Sequence, residues 1–181
     1  GLFIFMALST LQLGNSLSAG KDAEGQTLLT TARLDSARLD GRLGNARLAL
    51  EAAQAQWSRT PDAPLTAAEQ GLKLGRDSLS SVALVNTTKG EIVAQSGSED
   101  ADLMIEAAHK ASDPFAIVTA GSRLSRTNHT FAVLKGAGDT PDLVARLEDG
   151  LLPALDNSKG ALSALVTPDG LIVAASDEAL I

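Results

Sequence analysis

Two stretches of the chain share one pattern of apolar and polar positions. In the first, Val82-Ala83-Leu84-Val85 runs into Asn86-Thr87-Thr88-Lys89-Gly90 and out through Glu91-Ile92-Val93-Ala94-Gln95-Ser96. In the second, Ser163-Ala164-Leu165-Val166 meets Thr167-Pro168-Asp169-Gly170, and Leu171-Ile172-Val173-Ala174-Ala175-Ser176 follows. An apolar run, a turn rich in Asn, Asp and Gly, and a second apolar run make a β-hairpin signal. The copies share Ala-Leu-Val before the turn, Gly within it and Ile-Val-Ala-x-Ser after it, which predicts a repeated module.

A different period governs residues 17–57. Leu29, Ala32, Ser36, Leu39, Leu43, Ala46, Leu50, Ala53 and Trp57 follow one another in steps of three and four. Such a stripe predicts one long helix with a packed seam, its charged residues lying on the other faces. The seam serves either to pack the helix on its own domain or to pair two copies of the chain as a dimeric stalk. Pro61 and Pro64 stop this helix. Thr66 and Glu69 form a capping box for a second one, with Leu65, Ala68 and Leu72 on its apolar face and Gly75 closing it.

Past the first hairpin, Ser98 caps a third helix whose first turn holds Glu99, Asp100 and Asp102, the sign the helix dipole favours there. It ends before Asp113-Pro114. Phe115–Thr119 reads as a buried strand, 122–128 as a turn or exposed strand, and His129–Gly136 as a further strand. Thr140 with Pro141 predicts another helix, with Leu143, Val144, Leu147 and Leu151 as its buried stripe. Gly150 and Pro153 break it, and helical connections extend to about Gly160.

The opening run, Gly1-Leu2-Phe3-Ile4-Phe5-Met6, is apolar but too short to cross a bilayer, which needs about 20 residues. With Gly rather than Met at its head, it reads as the outer end of a membrane helix cut at a fragment boundary. The abrupt end at Ile181 reads as a second truncation.

Composition narrows the function. The chain has 181 residues and 44% apolar content, enough for a core. It has no Cys, which excludes disulfides, zinc-thiolate sites and thiol nucleophiles. The net charge of −7 argues against a nucleic-acid binder. The acidity is concentrated: residues 61–181 hold nine Lys/Arg against seventeen Asp/Glu, while residues 1–60 hold six against five. Hydrolytic motifs of the Gly-x-Ser-x-Gly kind are missing from the sequence, and so is a Gly-rich phosphate loop. Two His separated by twenty residues offer no metal-ligand spacing. No catalytic residue, metal or cofactor is expected.

Two strands, a helical excursion and a return to further strands, with VALVNTTKGEIVAQS and SALVTPDGLIVAAS as the matching hairpins, resembles the Cache family of extracytoplasmic PAS-like sensor domains. The resemblance implies an α+β fold of double-Cache type. Residues 1–16 would end a transmembrane helix, 17–59 form the stalk helix and 60–138 a PAS-like antiparallel sheet with flanking helices. Residues 139–160 would be connecting helices, and 161–181 the first hairpin of a second, truncated module. The alternative is that this hairpin adds strands to the first sheet.

The same resemblance implies a periplasmic, ligand-sensing input region of a bacterial inner-membrane receptor, with residues from about 17 onward in the periplasm. Its output would be a histidine kinase, or else a diguanylate cyclase or chemoreceptor. A homodimer through Leu29, Ala32, Leu39, Leu43, Ala46, Leu50 and Trp57 is expected, with a small anionic ligand or a periplasmic partner protein. The Tyr- and Trp-containing motif of amino-acid-sensing members has no counterpart, because the chain lacks Tyr and its one Trp lies in the long helix. Arg123, Arg126, Asn128 and His129 would border the ligand site and could hold a carboxylate; a solvated hairpin tip is the plainer reading. His109, near a helix C-terminus, suits the dipole there. The rival from another class is a membrane-anchored coiled-coil docking protein without a small ligand.

Overall fold

In a computed structural model, the described residues are 4–6, 18–97, 99, 101–122, 127–148, 164–166 and 172–175. They form strand β1 (Ile4–Met6), helices α1 (Ser18–Arg59) and α2 (Pro64–Gly75), and the hairpin strands β2 (Leu79–Asn86) and β3 (Glu91–Ser96). Helix α3 (Ala101–Lys110) follows, then β4 (Phe115–Ser122), β5 (Thr127–Leu134), β6 (Asp142–Leu147), β7 (Ala164–Val166) and β8 (Ile172–Ala175). The chain divides into two compact units, one of Gly1–Gly41 with Leu152–Ile181 and one of Arg42–Leu151.

The first unit contains a three-stranded antiparallel sheet in the order β1-β7-β8. Of the opening apolar run, Ile4–Met6 is a strand and not the end of a helix; its partner β7 offers it an edge, with Ile4 opposite Val166 and Met6 opposite Ala164. The rest of residues 1–16 lies outside the described residues. The second hairpin is present as β7–β8, and its strands join β1 rather than the larger sheet.

The second unit is α+β. Its five strands form one antiparallel sheet in the order β3-β2-β6-β5-β4, flanked by helices. The β2–β3 turn follows its side-chain chemistry. Asn86 Oδ1 accepts a hydrogen bond from Lys89 N (3.0 Å), and Gly90 N closes onto Asn86 O (2.9 Å).

The main departure from the sequence reading is β6. Residues 142–147, expected within a helix, are the central strand of the sheet, paired to β2 on one side and β5 on the other. Leu143, Val144 and Leu147 fit a helical stripe, yet Asp142, Leu143, Val144, Ala145 and Leu147 are all buried. A strand covered on both faces carries a near-continuous apolar run, so the period-two signal is lost. Pro141 stands just before the strand, where it takes no donor from the ladder. The sheet is therefore completed beyond residue 138; residues 149–160, the remainder of the expected connecting helices, lie outside the described residues.

Alternation places Ala83, Val85, Val118, Phe131, Val133 and Val144 on one face, packed with Leu103, Met104, Ala107 and Ala108 of α3. The opposite face presents Val82, Leu84, Ala132, Leu143 and Ala145, all buried. Here α2 and the C-terminal part of α1 pack. The buried positions of α2 are Ala67, Ala68, Gly71 and Gly75, whereas Leu65, expected on its apolar face, is exposed. The cause is close approach: a Cβ at Gly71 would stand 3.0 Å from Ala53 Cβ and 3.4 Å from Val82 Cγ1. The helix also starts earlier than its capping box, with Pro64 in the first turn and no side-chain cap at Ala63.

Among the described residues Gly90, Gly97 and Gly138 adopt positive φ, and the first two do so for different reasons. Gly90 (φ 66) turns the first hairpin with nothing within 4 Å of an added Cβ. At Gly97 (φ 94) a Cβ would meet Ser80 O at 2.6 Å and Ser81 Cα at 2.7 Å. Gly90→Ala should therefore cost about 1 kcal/mol, the left-handed penalty alone. Gly97→Ala adds a clash with the backbone of β2 and should cost at least about 2 kcal/mol. Urea unfolding of both variants checks this; equal midpoints would show that the contact over β2 is not tight.

Candidate functional site

The residues singled out from the sequence are only partly brought together. Arg123 and Arg126 lie outside the described residues. Asn128 is placed by its backbone alone, opposite Gly121 in the β4–β5 ladder. His129 is half-buried on β5 opposite Ala120, on the α3 face by alternation, and is engaged in an interaction there. His109 stands exposed in the last turn of α3. Of the helical seam, Leu29 and Ala32 are placed by backbone only. Leu39, Leu43, Ala46 and Leu50 are buried within the single chain, and Trp57 is half-buried. From Leu43 onward these positions, with Ala49 and Ala53, serve the interior of their own unit. A dimer seam through Leu43, Ala46 and Leu50 would first have to uncover them.

Two polar clusters stand at the ends of the central strand β6. At its start, Asp142 is buried and serves as an acceptor for three elements. Lys135 Nζ lies 2.6 Å from its Oδ2, Thr87 Oγ1 donates to the same oxygen, and Gly136 N donates to Oδ1 (2.8 Å). Lys135 Nζ also reaches Ala108 O at 3.3 Å. The β2–β3 turn, the end of β5, the start of β6 and the end of α3 are thus tied to one carboxylate. A buried charge is tolerated only when paired and hydrogen-bonded, and this one is; the cluster is a clasp.

The second cluster lies at the other end of β6. Ladder positions run Leu79–Leu147 and then Ser81–Arg146, so Ser80 and Ser81 together stand opposite Arg146. That is the two-against-one count of a β-bulge. Arg146 Nη1 bonds Glu99 Oε2 at 2.6 Å, with side-chain exposures of 19% for Arg146 and 6% for Glu99. Glu99, expected in the first turn of α3, instead precedes that helix and turns into the fold. Its carbonyl oxygen accepts from Gln95 Nε2 (2.9 Å). Gly97 lies directly over Ser81.

Among the described residues, the buried side-chain atoms with no hydrogen-bond partner are Ser80 Oγ, Ser81 Oγ and Arg146 Nε, all in this cluster. A buried hydroxyl left unmatched costs about 1–3 kcal/mol. Ser81 is the ladder partner of Arg146, and Ser80 is the extra residue of the bulge; the Glu99 carboxylate that engages the guanidinium leaves both hydroxyls unmatched.

Neither cluster was visible as such in the sequence. Arg146 interrupts an apolar run at Ala145 and Leu147, which on a strand puts it on the face of Val144. The helical stripe formed by Leu143, Val144 and Leu147 masks that clue. Glu99 looked like one of several acidic residues at a helix start. Among the described residues, no three His, Asp or Glu side chains converge to hold a metal ion, and no helix is long and apolar enough to cross a membrane. Comparison with protein-family models, curated proteins and solved structures finds no match for this chain.

Proposed function

We propose that this chain is the periplasmic, ligand-sensing input region of a bacterial transmembrane receptor, with a histidine kinase as the foremost candidate output. The observation that carries the reading is the order of the second unit: a lead-in helix, a hairpin, a helix and three more strands in one antiparallel sheet. The resemblance to PAS-like sensor modules implies that order. The second hairpin, VTPDG between two apolar runs, repeats the first in a separate sheet, as the opening of a second module would. In this reading a small anionic ligand binds the PAS-like unit and biases one of two arrangements of α1. Only a ligand with different affinity for the two arrangements can do so. Homodimerisation through α1 remains part of the proposal, on residues other than the buried Leu39, Leu43, Ala46 and Leu50.

The rival, a membrane-anchored docking protein, draws on the large apolar side chains that α1 and α2 leave exposed, Leu34, Leu48, Leu65 and Leu74. A thermal-shift screen of the 181-residue chain against small carboxylates separates the two. A sensor should give a saturable shift, roughly 2.7 kcal/mol at a hundred-fold excess over Kd, or roughly 5–10 °C for a chain of this size. No shift across the library, together with a stable complex with a periplasmic protein, would favour docking. Reproducible turnover of any compound would replace both readings with an enzyme.

A further inference from the structure

We propose that the outer edge of β4 is a homodimer interface. It pairs antiparallel with β4 of a second copy of the chain, and Lys110 guards that edge in the monomer. The inference goes beyond the sensing role proposed above, and its chemistry stands on β4 alone.

The ladder shows which backbone groups this edge presents. β4 ends the strand order, with β5 on one side of it. Pro114 O accepts from Lys135 N (2.9 Å), so these two residues stand as a hydrogen-bonded pair. In an antiparallel ladder such pairs alternate with non-bonded ones. Ala116, Val118 and Ala120 therefore bond to β5, opposite Val133, Phe131 and His129. Phe115, Ile117, Thr119 and Gly121 turn their backbone groups outward. A separate contact agrees: Lys110 Nζ, from the last turn of α3, donates to Thr119 O (2.9 Å). Among the described residues, no strand takes up the rest of this edge. The side chains of these four residues alternate onto the α1 side, where Arg47 stands over the Phe115 ring at 5.5 Å.

The two edges of the sheet are built differently. β3 carries Glu91 and skips Val93 between the pairs Leu84–Ala94 and Val85–Ile92, which is a bulge. Charges and bulges blunt an edge against pairing. β4 runs from Phe115 to Ser122 with no shift in register, and its sequence FAIVTAGS has no charge. That sequence also complements itself. Set Ile117 opposite Thr119 of the second copy, and Phe115 meets Gly121, so every outward residue finds a mate. Each such pair exchanges two hydrogen bonds. A slip of two residues leaves an outward residue of each copy unmatched. In the matched register Ala116 meets Ala120 and Val118 meets its own counterpart, with no like charges opposed. Phe115 across from Gly121 covers a glycine that has no side chain of its own to pack. The match is isologous, as a two-fold dimer requires. The axis stands perpendicular to the sheet, which leaves the parts of both α1 helices beyond Arg42 on one side of it. Lys110 opposes the pairing, because it must release Thr119 O, and it keeps Glu106 Oε1 (2.7 Å) when it does. One strand edge is small against the roughly 1,200–2,000 Å² of a stable interface, so the dimer forms reversibly with concentration.

The test is amide hydrogen exchange of the whole chain from micromolar to millimolar concentration, with the mass followed by sedimentation. The chain should pass from monomer to dimer. Over the same range the amides of Ile117, Thr119 and Gly121 should slow several-fold. Those of Ala116, Val118 and Ala120, already bonded to β5, should change little. This alternation belongs to edge pairing and would not arise from a contact through α1. Thr119→Pro removes an outward donor and leaves the ladder to β5 intact, so it should keep the chain monomeric. Thr119→Ala should dimerise like the wild type. Lys110→Ala removes the guard and should tighten the dimer several-fold. A wild-type chain that stays monomeric at millimolar concentration would overturn the proposal. So would a dimer whose outward amides exchange as fast as in the monomer, including one that pairs through α1 instead. Neither result depends on a variant that folds. The thermal-shift screen reads the sensing role separately. A ligand that binds a strict monomer would sink the pairing alone, and a β4-paired dimer with no ligand would sink the sensing role alone.

Discussion

Replacing Asp142 by alanine should lower the stability of the second unit by about 3–5 kcal/mol, the range for removing one partner of a buried ion pair. The carboxylate is 5% exposed and its partner Lys135 29% exposed, at 2.6 Å. Three donors lose their acceptor at once: the ammonium, the Thr87 hydroxyl and the Gly136 amide. Lys135 keeps Ala108 O and some water, which moderates the loss. Urea denaturation reads the effect as a shift of midpoint. A double variant, Asp142→Leu with Lys135→Met, should recover most of the loss, because replacing both members of a buried pair by apolar groups is often near neutral. If Asp142→Ala stays within about 1 kcal/mol of wild type, a threshold set well below that range, the three elements are not held by this carboxylate.

Phe131→Ala should cost a similar amount, about 3–5 kcal/mol, from lost burial and the cavity left behind. Phe131 is fully buried in the α3-side core and pairs across the ladders with Val118 and Arg146. Its ring is the only large aromatic side chain in that cluster, whose other members are alanines, valines, Leu103 and Met104. The alanine and valine neighbours are too small to refill the space, whereas Leu103 and Met104 can relax toward it in part. Whole-domain stabilities run from about 5 to 15 kcal/mol, so the variant should unfold at markedly lower urea. Hydrogen exchange adds a spatial check. Amides of α3 should lose protection more than those of α2, which lies on the opposite face. Equal loss in both helices would mean that the sheet as a whole had been disturbed.

These two sites differ in how visible they were beforehand. Phe131 lies in an alternating strand pattern, and its burial follows from the pattern. The β2–β3 hairpin was equally legible, since Asn86 and Gly90 do in the structure what their chemistry allows anywhere. The end of α1 at Arg59 followed from Pro61. Such features depend on a few neighbouring residues, and neighbours are what a sequence displays.

Asp142 and Arg146 were not legible, and both for one reason. They lie on β6, and the segment 142–147 satisfies a helical stripe and a doubly buried strand equally well. Its partners, β2 and β5, are separated from it in the chain or joined to it by a polar turn, so no local signal votes for pairing. A helical stripe through Leu143, Val144 and Leu147 carries no signal for the burial of Asp142 or for the pairing of Arg146 with β2 and β5. The buried face of α2 was misplaced in a related way. Leucines mark a buried stripe where helices stand off at ordinary distance, but here Gly71 and Gly75 bring the backbone close and turn Leu65 outward.

The sequence alone was sufficient for the two hairpins, the helix stops, the alternating strands and the exclusion of thiol chemistry, because each rests on residue type and local spacing. Three results came from the folded chain: β6 at the centre of the sheet, the α1 seam turned into its own unit, and Arg146 with Ser80, Ser81 and Glu99 drawn into one cluster. Each depends on contacts between segments far apart in the chain, where the free energy of burial, not local propensity, selects the partner.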